Sequence, residues 1–250
     1  LMEDFHNAGG VSAILANISQ LLHPNTKTVT GKTLEENISG VRSSNNQVVR
    51  SMKTPLNNEG GLAILYGSLA PEGAIIKPIA ASKNLLTHSG KAIVFENHNE
   101  VLQRIEDPNL EVRPDNILVM RNGGPIGGPG MPEWGLIPIP KKMLDQGIND
   151  MVRISDSRIS GTAFGTVVIH ISPESAIKGP LAAVQTGDVI ELDVPNRKLN
   201  LKISQKEIEN RLSKRNNNET IHHRGYKSLY TKHVLQADRG CDFDFLSNVD

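Results

Sequence analysis

Apolar residues at Val11, Ile14, Leu15, Ile18, Leu21 and Leu22 recur at helical spacing behind Gly9-Gly10. That pattern predicts an amphipathic helix closed near His23-Pro24. Thr33-Leu34-Glu35-Glu36-Asn37-Ile38, entered after Gly31, predicts a second, short helix. Residues 39–60 are polar, from Ser43-Ser44-Asn45-Asn46 to Asn57-Asn58-Glu59-Gly60, and read as a surface crossing between two structural units. From Gly61 to about Ile203 the texture changes. Short β-favouring runs at Leu62–Tyr66, Ala74–Ile76, Ala92–Phe95, Ile117–Val119, Thr166–Ile169, Val189–Leu192 and Leu199–Ile203 alternate with glycine and proline. Many short strands with frequent turns predict a barrel or sandwich, here with helices inserted at Asn99–Glu106 and Pro140–Gln146. A charged helix is expected over Gln205–Lys214, a polar linker over 215–219, and a tail from Tyr226 to Leu246.

Composition narrows the function classes. The 250 residues are 38% hydrophobic and 22% charged, as a globular chain is. Lys and Arg total 27 and Asp and Glu total 27, so no basic field is present to hold a nucleic-acid backbone. No span approaches the roughly 20 apolar residues that cross a bilayer. The first residues, Leu1-Met2-Glu3-Asp4-Phe5, lack a charged and then apolar leader and do not begin with Met. A start inside a longer gene product and a cytoplasmic location by default are therefore expected. The single cysteine, Cys241, excludes a disulfide scaffold, a cysteine zinc site and an iron–sulfur cluster ligated from this chain alone.

Two segments stand out chemically. Arg121-Asn122-Gly123-Gly124-Pro125-Ile126-Gly127-Gly128-Pro129-Gly130-Met131-Pro132-Glu133-Trp134 alternates residues that free and fix the backbone. It lacks the Gly-Lys-Ser/Thr ending of a P-loop. It reads equally as a ligand-hugging loop or an ordinary connection; Glu133, taken alone, reads more readily as a solvated loop carboxylate than as a metal ligand. Ile154-Ser155-Asp156-Ser157-Arg158-Ile159-Ser160-Gly161-Thr162-Ala163-Phe164-Gly165-Thr166 packs hydroxyl groups around one Asp and one Arg. These are turn and cap residues, or they present a serine that needs a neighbouring base or a metal to become reactive. The histidines are scattered: His222-His223 are expected at the surface, and His6 beside a helix start is a weak anion-site candidate. Lys77 is a buried cation near a site or an edge lysine. Cys241 is expected to be a packed thiol.

Three signatures occur in order: Gly61-Leu62-Ala63-Ile64-Leu65-Tyr66-Gly67-Ser68-Leu69-Ala70-Pro71-Glu72-Gly73-Ala74, Gly127-Gly128-Pro129-Gly130-Met131-Pro132-Glu133, and Ser155-Asp156-Ser157-Arg158-Ile159-Ser160-Gly161. They resemble those of the dihydroxy-acid dehydratase and phosphogluconate dehydratase superfamily, and the resemblance runs from Asn7-Ala8-Gly9-Gly10 to the tail. Ser160-Gly161-Thr162-Ala163 and the stretch from His233 to Leu246 look more like the sugar-acid (aldonate) branch, such as arabinonate or xylonate dehydratases. The branched-chain amino-acid enzyme usually carries Gly-Gly where this chain has Gly161-Thr162.

The resemblance implies loss of water from a 2,3-dihydroxy acid to give a 2-keto acid through an enol. It implies Mg2+ on the substrate carboxylate and 2-hydroxyl, and an iron–sulfur cluster, 2Fe-2S by analogy, acting as Lewis acid on the departing 3-hydroxyl. By motif position Ser160 matches the base, a metal-bound serine alkoxide. Thr162 matches a pocket threonine beside it, and Glu133 a magnesium-ligating glutamate. Arg158 is a weaker candidate for orienting Asp156 or another carboxylate. The implied fold is α/β overall, the end of an α/β amino-terminal domain followed by a β-barrel-like (swivelling β/β/α) carboxy-terminal domain. The expected division is residues 1–50 as the last helices of the cluster-binding domain, 51–205 as the barrel carrying the base, and 206–250 as a helix and tail. The family's cluster cysteines, further magnesium carboxylates and carbamylated lysine precede anything present here, so the isolated chain is expected to be inactive. The resemblance also implies a homo-oligomer, dimer or tetramer, a small sugar-acid substrate, and no nucleic-acid or membrane partner. Two other readings stay open: a branched-chain dihydroxy-acid dehydratase, and a non-catalytic protein that keeps the pocket without the cluster half.

Overall fold

The computed structural model describes residues 1–215 and 224–246, so the His222-His223 pair and linker residues 216–219 lie outside the described residues. The chain divides into two compact units, Leu1–Gly60 and Gly61–Asp250.

The first unit holds α1 (Met2–Asn7), α2 (Gly10–Asn17) and α3 (Leu34–Ile38). Asn17, a poor helix former, ends α2 earlier than the apolar repeat suggests and turns its amide to the Arg50 carbonyl at 3.1 Å. A single 3-10 turn, Ser19–Leu21, carries the rest. At α3, Thr33 Oγ1 accepts from the Glu36 amide at 3.2 Å while the Glu36 carboxylate accepts from the Thr33 amide at 2.6 Å. This reciprocal box is what Thr-x-x-Glu encodes. Ala8, Ala13 and Val49 form the unit's small core, with Phe5, Val41 and Val48 against it. His6 is exposed in the last turn of α1.

The second unit contains β1 (Ala63–Gly67), β2 (Ala70–Ile76), β3 (Thr87–Phe95), α4 (His98–Arg104), β4 (Ile117–Met120), α5 (Lys141–Leu144), β5 (Arg153–Ser155), β6 (Val167–Ser172), β7 (Val189–Asp193), β8 (Lys198–Leu201), α6 (Gln205–Lys214) and α7 (Tyr226–His233). The strands close into a barrel in the order β1-β2-β6-β5-β4-β3-β7-β8. Within it β3, β4, β5 and β6 are mutually parallel neighbours, and the remaining pairs are antiparallel apart from the β1–β8 closure.

Continuous apolar runs at β3 and β4 reflect burial on both faces, as parallel strands require. Alternate residues Ala92, Val94, Ile117 and Val119 fill the barrel interior with Leu65, Ile76, Ile154 and Leu199. Ile93, Phe95, Leu118 and Met120 face outward into a second layer with Val101, Ile105 and Met143, which α4 and α5 supply. Asn97 caps α4 by accepting from the Glu100 amide at 3.0 Å. Ser204 caps α6, whose Ile208 reaches the barrel core.

Besides α2, several elements of the second unit differ from the sequence expectation, β2 among them, which starts at Ala70. β3 starts at Thr87 because its polar half, Thr87–Lys91, pairs with β7. β5 escapes a hydropathy reading because Arg153 and Ser155 flank a lone Ile154. It stands only because Leu118↔Arg153 and Arg153↔Val167 ladders support it from both sides. The buried Arg153 is held by Asp150 at 3.0 Å, and Asp150 also accepts from Thr166 Oγ1 at 2.7 Å. Gly165 is needed there: at φ +101° its amide donates to the Ala80 carbonyl at 2.7 Å, and a Cβ would lie 2.0 Å from an Arg153 guanidinium nitrogen. Finally, α7 lies in the stretch read only as a tail.

Candidate active site

Parallel β3–β6 send their following loops out at the same barrel end, where sheets of parallel strands gather functional groups. The glycine-rich loop follows β4, the Asp156–Gly165 loop follows β5, and Pro173–Ser175 follows β6.

Two buried carboxylates anchor the glycine loop. Asp156 has no solvent exposure and accepts from the Gly123 and Ser175 amides, both at 2.9 Å, and from the Ser175 hydroxyl. Burial pushes its carboxyl above the ordinary range, against the pull of those donors. Glu174, also without exposure, accepts from the Ile126 and Gly127 amides and from Gln236 Nε2, each at 2.8 Å. The Glu174 amide donates to Gln236 Oε1 at 2.9 Å, so the segment after α7 is clasped to the same carboxylate. Gly124 leaves room for it, since a Cβ there would lie 2.7 Å from a Glu174 oxygen. Near the loop's other end His98 stacks on Trp134 with ring centroids 5.2 Å apart.

Burial first, and the Asp156 charge second, push the Glu174 carboxyl up to about 7. A carboxyl raised on folding is bound by a proton more tightly in the native state, so its stabilisation is complete below the ordinary 4.5 and lost as pH rises through about 7. Urea unfolding of the chain is expected to show a fall of about 3 kcal/mol across that window from this group. In Glu174→Gln the pH slope should flatten; an unchanged slope would assign it elsewhere.

The loop after β5 presents the sequence candidates. Ser160 is half-buried, Thr162 is exposed, and their hydroxyls lie 3.1 Å apart. Among the described residues Thr162 is the hydrogen-bond partner of the Ser160 hydroxyl. Lys77 pins this loop by donating to the Gly161 carbonyl at 2.8 Å. Glu133 enters from the glycine loop, exposed, and pairs with Arg158 at 2.9 Å. Arg158 also donates through Nε to the Met131 carbonyl, while Gly135 donates to the Arg158 carbonyl at 2.9 Å. Arg158 therefore serves Glu133 and not Asp156, whose partners come from Gly123 and Ser175. The physical reason is depth: Asp156 is sealed beneath the loops, whereas Arg158 reaches their rim.

Sequence reading missed Glu174, Ser175 and Gln236, whose roles have no local signal because their partners lie in distant loops. It also missed His170. β6 carries an extra residue opposite β2 between Ile169 and Ser172, and His170 within it has φ +54°. This bulge lets the His170 amide reach the Ser157 carbonyl at 3.1 Å. Its Nδ1 is buried without a partner, and burial together with Arg158 holds the ring below its usual range.

The donor set fits a magnesium ion in part. Glu133 and the Ser160 and Thr162 hydroxyls are hard oxygen donors, yet among the described residues no group of three or more His, Cys, Asp and Glu side chains is placed to hold a metal. The set does not fit an iron–sulfur cluster: Cys241 is one half-buried thiol, raised by burial and by Glu174 and Asp238. Among the described residues no helix is long and apolar enough to cross a membrane.

Comparison with known proteins gives the family. Residues 47–241 match the family described as dihydroxy-acid/6-phosphogluconate dehydratase C-terminal, and residues 1–37 match its N-terminal counterpart. The chain belongs to this dehydratase family. It is 48% identical over 248 residues to L-arabinonate dehydratase of Rhizobium leguminosarum, covering 98% of this chain and 43% of that protein. It is 44% identical over 249 residues to 6-deoxy-6-sulfo-D-gluconate dehydratase of Pseudomonas putida, with 98% and 43% covered. Against the dihydroxy-acid dehydratase of Caldanaerobacter subterraneus the identity is 38% over 245 residues, with 97% and 43% covered. The chain thus spans less than half the length of the curated relatives it matches.

Proposed function

We propose that this chain is the carboxy-terminal portion of a hydro-lyase that converts a sugar acid, an aldonate, to a 2-keto-3-deoxy acid. The observation that carries the reading is the pairing of the Ser160 and Thr162 hydroxyls at 3.1 Å on a loop that Arg158 ties to Glu133. In the reaction the deprotonated Ser160 oxygen takes the proton from C2 as the C3–O bond breaks, that proton joins the departing hydroxide to leave as water and restores the base, and the resulting enol tautomerises to the ketone. Thr162 hydrogen-bonds the Ser160 oxygen and fixes its direction. Glu133 is the carboxylate this chain offers to a magnesium ion, which when bound would lower the pKa of a coordinated hydroxyl. Asp156 and Glu174 hold the loop that carries Glu133, so they position groups without meeting the substrate. Ligands for an iron–sulfur cluster, the rest of a magnesium shell and homo-oligomer contacts would come from the amino-terminal portion of the whole protein.

The sugar-acid preference is supported by Thr162 and by identities of 44% and 48% to relatives named for sugar acids, against 38% and 39% to those named dihydroxy-acid dehydratase. The test is to prepare the protein with its amino-terminal portion anaerobically and measure keto-acid formation from a panel of aldonates and 2,3-dihydroxyisovalerate. Aldonate turnover is expected, with none from the 250-residue chain alone. Turnover confined to 2,3-dihydroxyisovalerate would move the assignment to the branched-chain enzyme. No turnover on any substrate would favour a pocket without catalysis.

A further inference from the structure

A recess of about 460 Å³ opens between α6 and the barrel, and it shares no lining residue with the Ser160 loop. Its charged lining is Glu96, Arg121, Glu207, Arg211, Lys214 and Arg215. Arg121 directly follows β4 and is only 5% exposed. It pairs with Glu96 at 2.8 Å, donates to the Ala182 carbonyl, and leaves its Nε without a partner. Arg215 uses the same acceptors, with Glu96 at 2.7 Å and the Ala182 carbonyl at 2.9 Å. Two guanidiniums therefore share one carboxylate and one carbonyl.

The other cations of the lining add to the positive side. Arg211 is occupied by Glu207 at 2.8 Å and by Asp188. Lys214 is exposed beside Arg215 and adds a further cation at the same mouth. Arg121 shares its one paired carboxylate with Arg215, and burial, reinforced by Arg215, holds it down to about 10 against the opposing pulls of Glu96, Asp156 and Glu100.

We propose that this recess binds the oxyanion of a small phosphorylated molecule, with Arg121, Lys214 and Arg215 as its ligands. Guanidinium groups present parallel N–H donors that match such oxygens, and an ammonium adds a point charge. A phosphate has enough oxygens to meet two guanidiniums and an ammonium together, which a carboxylate lacks. The volume exceeds what phosphate alone fills and falls in the range of small-molecule sites, roughly 300–1,000 Å³. The inference stands apart from the dehydratase reading, so either can fail while the other holds.

The test is calorimetric titration of the 250-residue chain with inorganic phosphate, a sugar phosphate and the matching sugar carboxylate, at constant ionic strength in chloride. Saturable binding of both phosphates is expected, weakened at least about tenfold in Lys214→Glu and in Arg215→Gln. Circular dichroism melting is recorded for each variant beside the titration, and Lys214→Gln, which removes the charge without reversing it at the last turn of α6, is titrated as well, so a folding defect cannot mimic the result. Absence of saturable phosphate binding, equal binding by parent and variants, or binding of the sugar carboxylate alone would overturn the proposal.

Discussion

Replacing Asp156 with alanine is expected to destabilise the barrel unit by about 3–5 kcal/mol, the scale of breaking a buried charged network. The side chain has no exposure and gathers the Gly123 amide, the Ser175 amide and the Ser175 hydroxyl. Alanine would leave these donors without their acceptor in a site with no solvent exposure. Asn122 is tied into the same network, since its amide donates to Ser175 Oγ at 2.7 Å. The glycine loop would then lose its first anchor while Glu174 still grips Ile126 and Gly127. Asp156→Asn keeps the shape and one acceptor oxygen, so its loss should be smaller. Urea denaturation of the three proteins at one pH measures both effects. A loss below about 1 kcal/mol in the alanine variant would mean that the carboxylate is not what holds the loop.

Ser160→Ala is the second large effect, and it should fall on chemistry alone. In the protein carrying its amino-terminal portion, keto-acid formation is expected to drop by about 10³-fold or more, as loss of a proton-abstracting group does. Folding should stay within about 0.5 kcal/mol, because the hydroxyl is half-buried and bonds only to Thr162 among the described residues. Thr162→Ala should cost roughly tenfold, and Thr162→Ser should restore most of it, since the retained hydroxyl still meets Ser160. Activity in Ser160→Ala within tenfold of the parent would move the base to another group. His170 would then be the first to test, because its Nδ1 is buried without a partner and burial and the Arg158 charge hold its ring below the usual range.

How far the site was legible follows from where each partner lies in the chain. Ser160 and Thr162 sit two residues apart, and both Glu133 and the glycine loop belong to one continuous motif. These were readable as candidates. The pairing of Arg158 with Glu133 spans 25 residues, and Asp156 meets Gly123 across 33. Glu174 meets Ile126 across 48 and Gln236 across 62. No local pattern specifies contacts of that separation, so the sequence leaves Arg158 open between Asp156 and another carboxylate and gives Glu174 no role.

By itself the sequence determined what depends on short range. Thr33-Leu34-Glu35-Glu36 carries its own helix cap, Ile117–Met120 its need for burial on both faces, and Gly123–Gly130 a backbone open to close approach. The tertiary structure alone decided what depends on neighbours. β5 is a strand because β4 and β6 flank it, despite Arg153 and Ser155. The β6 bulge exists because β2 opposes it one residue short, and that turns His170 toward Ser157. Charge state was decided in the same way: a carboxylate such as Glu174 shifts only when folding removes water from around it and brings Asp156 near.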